Sequence, residues 1–481
     1  MASTDSPSFE AFDADRHSSL GQALVPILGV IVFLGVGSGY LKLDPHGPLL
    51  WSIVLTGVVG RYWFDLSWDD LYDGIARSLL MGLEAILILF VIYALIATWV
   101  SAGTIPGLMY YGLSLLTPQV FLPVTALLAA VVAFSIGSSW TTAGTLGVAF
   151  IGIGSGLGVP EPMTAGAILT GAYAGDKQSP LSDTTNLAAA VTNTNLYDHI
   201  RGMRLGTAVA LGLSVVLYAI LGIRAGGAIP AGRVETIQTA LAGSYELSAL
   251  VFLPLVVTFG LALYGYPALP TLVAGVFAGV GTTILLQGVA FTAAWDVFLY
   301  GTSPETGADL VNELLASDGL SGSAWTISVV VAALSLGGLL EETGVIAVLA
   351  HRLAQAVRGR ASLVVGTGAS AFAVNLFSAQ QYMSIVVPGM TLRDLYDEYG
   401  LDRTLLSKSI ESVGTPTGAL IPWHAGGVFM ATVLEVPTLE YAPYYFFAFL
   451  SPLVLVAMAV TGKGLTAGAP APDPETVPSD D

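Results

Sequence analysis

"GDKQSPLSDTTN", residues 175–186, sets two aspartates, a lysine and several hydroxyl and amide side chains between the apolar stretches 162–174 and 187–191. Ionisable groups are costly in hydrocarbon, and chains that keep them there use them to bind, carry or pair charge. The rest of the sequence says that hydrocarbon is the solvent. Of 481 residues, 54% are hydrophobic and only 10% charged, with a mean hydropathy of +0.75. A soluble domain carries about 25% charged residues. Apolar runs long enough to cross a bilayer, roughly 17–25 residues, recur at 20–41, 78–100, 119–136, 203–223, 245–263, 266–291, 323–340 and 441–462. Shorter or interrupted runs lie at 49–64, 140–157, 162–174, 361–377, 380–390 and 412–432. This pattern predicts an all-α polytopic membrane protein with about ten to thirteen hydrophobic passes, some of them re-entrant hairpins.

The first run follows an acidic flank, "MASTDSPSFEAFDADRHSS", and is long, so it reads as a retained helix rather than a cleaved signal peptide. The chain has no cysteine, which excludes disulfides and thiolate metal sites. Its formal net charge is −18, with acids crowding both tails: Asp5, Glu10, Asp13 and Asp15 at the start, Asp473, Glu475, Asp480 and Asp481 at the end. These tails read as solvated and disordered. Only four of the 16 basic residues are lysine, a halophile-like composition. No basic stripe is present to neutralise phosphates, so nucleic acid is not a partner; the lipid bilayer is.

Basic residues in short loops mark the cytoplasmic side. Arg352, Arg358 and Arg360 cluster in one loop, whereas 300–322 carries several acids and no Lys or Arg. Counting crossings back from there places Arg201 and Arg204 inside as well, and the N-terminus is expected in the cytoplasm. Two distant stretches are alike. "TWVSAGTIPGLMYYGLSLL" (98–116) and "LLEETGVIAVLAHRLAQAV" (339–357) each follow a long apolar helix, and each leads to an Ala-Phe pair, at 133–134 and 371–372. Each half then reaches a polar break, opened by Gly175-Asp176 in one and Gly414-Thr415 in the other. No Lys or Arg occurs between 78 and 176, while the matching loop of the second half holds three arginines. Opposite charge bias on equivalent loops predicts opposite orientation, an inverted repeat of the kind found in secondary transporters, with the site at broken helices near the midplane. The expected division is a disordered tail 1–19, N-terminal helices 20–77, a first transport repeat 78–200, connecting helices and an external loop 201–322, a second, inverted repeat 323–440, a last helix 441–464 and a second tail 465–481.

The first break reads as helix, interruption, helix. Gly175 suits a helix C-terminus, and Ser179-Pro180 suits a new start with Ser179 as N-cap. From there Ser179, Ser182, Asp183 and Asn186 share one helical face. Such an oxygen-rich stripe, with carbonyls freed near Tyr173 and Ala174, suits a small hard cation. Asp176 and Asp183 against Lys177 leave one negative charge, enough for one Na+ or one proton. A carboxylate that loses Na+ in a low dielectric takes up H+, the simplest basis of exchange. The other reading of the same residues is a structural salt bridge between Lys177 and one aspartate in a surface loop.

"SVGTPTGALIPWHAGG" (412–427) has no acid in its break, but supplies Thr415, Thr417 and His424. His424 is open to two readings, a proton carrier or a hydrogen-bonded packing residue. "GSSWTTAGT" (137–145) and "NLFSAQQYMS" (375–384) occupy matching places in the two halves. Ser139, Thr141, Asn375 and Gln380 are pathway candidates, while the glycines there read as close helix packing. Glu341 and Glu342 end a helix, Glu84 is a weaker ion candidate, and Glu411 with Lys408 reads as a surface pair.

"GAYAGDKQSPLSDTTNLAAAV", "SSWTTAGTLGVAFIGIG", "GGLLEETG", "QYMSIVVPG" and "GTPTGALIPWHAGG" closely resemble the NhaC family of Na+/H+ antiporters, over roughly residues 25–460. The resemblance implies a multi-pass plasma-membrane antiporter that exchanges Na+ for H+ and needs no cofactor. Homodimers are an allowed form. Carried over by motif, Asp176, Lys177, Ser179, Ser182, Asp183, Thr184 and Asn186 form the core of the site, with Asp176 and Asp183 as Na+ ligands and Glu341 as a matching acid. Gln178 departs from the family's usual apolar residue and bears on selectivity. The family includes exchangers of organic or amino acids, of malate/lactate and arginine/ornithine type, which is the alternative substrate class. A cation channel would need a continuous pore, commonly from several subunits. No zinc-protease or nucleophile-elbow motif supports an enzyme.

Overall fold

The computed structural model describes residues 20–225, 232–346, 348 and 358–462. The two acidic tails and most of the arginine-bearing loop 351–360 lie outside the described residues. The described chain is helical, with one isolated bridge between Thr302 and Ser317 and no β-strand. Among the described residues seven helices are long and apolar enough to cross a membrane, or up to ten if each of three bent pairs counts as one span. That meets the lower end of the expected number. Large apolar side chains stand exposed on the outside, among them Leu80, Val131, Leu205, Ile223, Leu285 and Val460. In water such a surface is a liability; in lipid it is the solvated face.

The N-terminal part comprises α1 (Leu20–Val32, prolonged by a π-helical stretch Phe33–Tyr40), α2 (His46–Trp63) and α3 (Trp68–Met81). α3 starts with a capping box, Ser67 and Asp70 bonding each other's backbone amides. Next come α4 (Leu83–Ser101), α5 (Thr104–Leu115), α6 (Pro118–Ile136), α7 (Ser139–Gly156), α8 (Glu161–Asp176) and α9 (Asp183–Val191). α10 (Leu196–Ala225), α11 (Arg233–Ser244), α12 (Leu253–Leu263), α13 (Ala268–Leu285), α14 (Phe291–Tyr300) and α15 (Asp309–Leu314) connect the halves. The second half comprises α16 (Ser323–Glu342), α17 (Arg360–Ser378), α18 (Gln381–Thr391), α19 (Arg393–Glu398), α20 (Arg403–Thr417) and α21 (Ala425–Leu434). α22 (Thr438–Tyr441) and α23 (Phe446–Thr461) close the chain.

The interruptions of the two halves match in kind. α6 ends at Gly137 and α17 at Ala379, both with left-handed backbone (φ 76° and 55°). Each is followed at once by an N-cap whose side chain accepts a backbone N–H: Ser138 from Thr141, and Gln380 from Tyr382. The later interruptions likewise end at N-caps, Ser182 before α9 and His424 before α21. Ser138 and Ser182 are as far apart in sequence as Gln380 and His424. This correspondence of element order is consistent with a repeat.

Two boundaries differ from the sequence reading. α8 runs on to Asp176, and α9 begins at Asp183 with Ser182, not Ser179, as its cap. The Ser179 hydroxyl instead accepts the Leu181 N–H at 3.2 Å within the loop. In the second half the helix continues through Gly414 and Pro416 and breaks only at Gly418–Trp423, where the chain bends by 53°. Pro416 removes one amide without stopping the helix, because its neighbours carry the turn.

Candidate functional site

The N-termini of α7, α9, α18 and α21 meet around a cavity of about 290 Å³, through Ser139, Asp183, Gln381 and Ala425. Each helix start carries about half a positive charge. The cavity walls include three carboxylates, Glu84, Asp176 and Asp183, and the polar side chains of Ser139, Thr141, Gln380 and Tyr382; among the described residues no Lys, Arg or His lines it. Helix dipoles therefore support negative charge here without a mobile base to neutralise it.

Asp176, 2% exposed, is held from one side only. Its Oδ2 accepts the Ser139 amide at 3.0 Å and the Ser139 hydroxyl at 2.7 Å. Its Oδ1 is buried and has no partner, as is the Thr141 hydroxyl on the same cavity wall. Asp183 Oδ1 accepts its own helix's Thr184 N–H at 2.9 Å, and Oδ2 accepts the Tyr382 hydroxyl. Thr184 bridges inward: its hydroxyl lies 3.1 Å from Ser182 Oγ and donates to Glu411 Oε1 at 3.2 Å.

Lys177 is buried, but its ammonium forms no ion pair with either aspartate. Nζ donates to the Glu411 carbonyl oxygen (3.3 Å) and to Ser451 Oγ (3.2 Å) and sits 5.2 Å from the centre of the Phe447 ring. The salt bridge left open by the sequence is thus absent. The charge count changes with it, because Glu411 is fully buried beside the site rather than paired with Lys408 at a surface. Removing the buried ammonium leaves the nearby carboxylates without a counter-charge, which destabilises the fold. Lys177→Met is expected to lower the melting temperature of the purified protein, and Lys177→Met with Glu411→Gln to recover much of it. Equal melting temperatures for wild type and Lys177→Met would show that the ammonium balances nothing.

The other sequence candidates divide into cavity and scaffold. Ser139, Thr141 and Gln380 line the cavity. Asn186 donates to the Pro180 and Ser182 carbonyls and so ties the loop to its helix. Asn375 locks the second break, donating to the Gly414 carbonyl (2.5 Å) and Thr417 Oγ1 (3.1 Å). His424 Nδ1 accepts the Gly426 amide at 2.9 Å, so Nε2 carries the proton toward Asn375 Oδ1 at 3.1 Å. This geometry makes His424 a neutral helix cap outside the cavity. Thr415 is buried on α20 with its hydroxyl unpartnered. Glu341 lies at the end of α16, where neighbouring Glu342 pairs with Arg77 of α3, away from the cavity. Tyr382 was not singled out, although it stands within a polar stretch already flagged, and Glu411, read from the sequence as a surface pair, is buried. Among the described residues no group of three or more His, Cys, Asp or Glu is placed to hold a metal ion.

Broken helices thus face an acid-lined cavity. The Na+/H+ antiporter family profile matches residues 171–463, and the chain belongs to that family, in its NhaC branch. It is 55% identical over 478 residues, 99% of both chains, to the arginine/ornithine antiporter ArcD of Halobacterium salinarum. It is 36% identical to the Na+/H+ antiporter NhaC of Alkalihalophilus pseudofirmus, covering 94% of this chain and 97% of that one. A malate-2H+/Na+-lactate antiporter of Bacillus subtilis is 34% identical, over 92% and 93% of the two chains.

Proposed function

We propose that this chain is a plasma-membrane secondary antiporter that exchanges Na+ for H+ by alternating access, with Asp176 and Asp183 carrying the cation or the proton. One observation carries this reading. Asp176 is fully buried with Oδ1 unpartnered, on a cavity that Asp183 shares and no base lines. A cation placed there completes the coordination of Asp176 and meets the Thr141 hydroxyl; when it leaves, a proton replaces its charge. The test is Na+-driven H+ movement in proteoliposomes of the full chain. Uncoupled conductance in place of exchange would identify a channel.

The cavity supports a second reading, exchange of cationic amino acids. Its 290 Å³ far exceeds the roughly 10–15 Å³ that one water needs by the same kind of measure. Three acids, two glutamines and aromatic rings suit a long cationic side chain, and the 55% identical relative bears an arginine/ornithine name. Counterflow of labelled arginine against ornithine, with and without Na+, separates the two. Arginine uptake independent of Na+ would replace the first reading by the second.

Alternating access between two halves also rests on their opposite orientation. In proteins carrying a single introduced cysteine, Thr117→Cys before α6 and Arg358→Cys before α17 are expected to react with an impermeant thiol reagent from opposite sides of the membrane. Labelling from one side would remove the inversion. The chain's own lack of cysteine makes the background clean.

A further inference from the structure

Glu411 is fully buried, stands outside the cavity lining, and has no role in the exchange reading above. α20 carries it against α9 and α23. Its Oε1 accepts the Thr184 hydroxyl at 3.2 Å, while Oε2 is buried and accepts nothing. Four residues on, and so on the same helix face, the Thr415 hydroxyl is also buried, close enough to act on the Glu411 carboxylate but outside hydrogen-bond geometry with it. A buried carboxylate oxygen with no donor is expensive, and the nearby ammonium offers it a counter-charge but no hydrogen bond. Lys177 gives its protons to the Glu411 carbonyl and to Ser451 instead.

We propose that Glu411 Oε2, Thr415 Oγ1 and the Thr184 hydroxyl oxygen form an inner subsite for a monovalent hard cation, separated from the Asp176–Asp183 cavity by Thr184. This rests on the reading of the chain as a cation exchanger and adds a second binding position to it. A carboxylate with hydroxyl oxygens is the donor set such an ion uses. Thr184 is suited to pass the ion between positions, because it lines the cavity while donating to Glu411. The charges allow two ions. Glu84, Asp176, Asp183 and Glu411 against Lys177 leave three negative charges, and one cation at the outer position still leaves two.

The test is radiosodium binding to the detergent-purified full chain at alkaline pH, together with the Na+ dependence of exchange in proteoliposomes. Wild type is expected to bind two Na+ per chain with cooperative Na+ dependence. Glu411→Gln is expected to bind one and to need about tenfold more Na+ for half-maximal exchange, equivalent to 1.4 kcal/mol. Thr415→Val, nearly isosteric, is expected to shift the same half-saturation several-fold, and it keeps the test open where Glu411→Gln does not fold. The double variant Lys177→Met with Glu411→Gln is charge-balanced, so a merely electrostatic role for Glu411 predicts wild-type Na+ dependence from it. That result, or unchanged Na+ binding in Glu411→Gln or Thr415→Val, overturns the subsite while leaving the exchanger intact. A wild-type chain that neither binds Na+ nor couples it to H+ overturns both.

Discussion

Asp176→Asn and Asp183→Asn are each expected to reduce Na+-driven H+ exchange in proteoliposomes to background while the protein still accumulates in the membrane. The fold should survive because the amide keeps most of the contacts. In Asp176→Asn the carbonyl oxygen still accepts from the Ser139 amide and hydroxyl, and the new NH2 takes the place of the unpartnered Oδ1, on the cavity side. In Asp183→Asn the carbonyl oxygen still serves the Thr184 amide or the Tyr382 hydroxyl. What disappears is the charge. An ion left in a buried site without its partner loses about 3–5 kcal/mol, a fall in Na+ affinity of roughly two to four orders of magnitude. The amide also cannot take the proton that replaces Na+. Proton flux followed with a pH-sensitive dye checks it. Wild-type exchange from Asp183→Asn would remove the cavity carboxylates from the mechanism.

The fold class was legible because bilayer-spanning helices must be long, apolar and internally hydrogen-bonded, and those demands are written directly in the apolar runs. The breaks were legible for the converse reason: clustered Gly, Pro, Ser and Asp have no other use in hydrocarbon. Their register was less so. Both Ser179 and Ser182 have the chemistry of an N-cap. What selects Ser182 is a contact distant in sequence, the seating of Leu181 and Ser182 against Gly137. Propensity cannot weigh that.

The site was read in part for the same reason. Asp176, Asp183, Thr184, Ser139, Thr141 and Gln380 face one cavity, as grouped from the two breaks and the hairpin starts. Glu411 was misread because α20 places Lys408 and Glu411 one turn apart on a helix of near-neutral hydropathy, the local pattern of an interfacial helix. Its burial comes from neighbours: α9, α10, α17, α18 and α23 all pack on α20. No local window contains them. Asn186 and His424 went the other way. Their side chains are consumed by capping backbone groups that a break exposes, a demand visible only once the broken ends are placed.

Gly137→Val is expected to abolish exchange, most of it through loss of folded protein, whereas Ala379→Gly at the matching turn is expected to be active and slightly more stable. The two positions share a left-handed backbone, φ 76° and 55°. A side chain there costs about 1–2 kcal/mol, and more for a β-branched residue, whose Cβ substituents crowd its own backbone. Ala379 already bears that cost, so glycine relieves it, offset by the greater freedom glycine restores to the unfolded chain. Gly137 differs in its surroundings. A Cβ on it would fall 2.7 Å from the Leu181 carbonyl carbon and 2.9 Å from the Ser182 amide nitrogen. These are backbone atoms, so no rotamer change makes room. The loop 177–182 must move away from the end of α6, and with it Ser182 and Asp183, the start of α9. Even Gly137→Ala should therefore impair Na+-driven exchange more than it lowers the melting temperature. Fluorescence-detected size exclusion and thermal melts of the three variants, beside their exchange rates, check this. A Gly137→Ala protein with wild-type exchange would show that the contact between the two breaks does not set the position of Asp183.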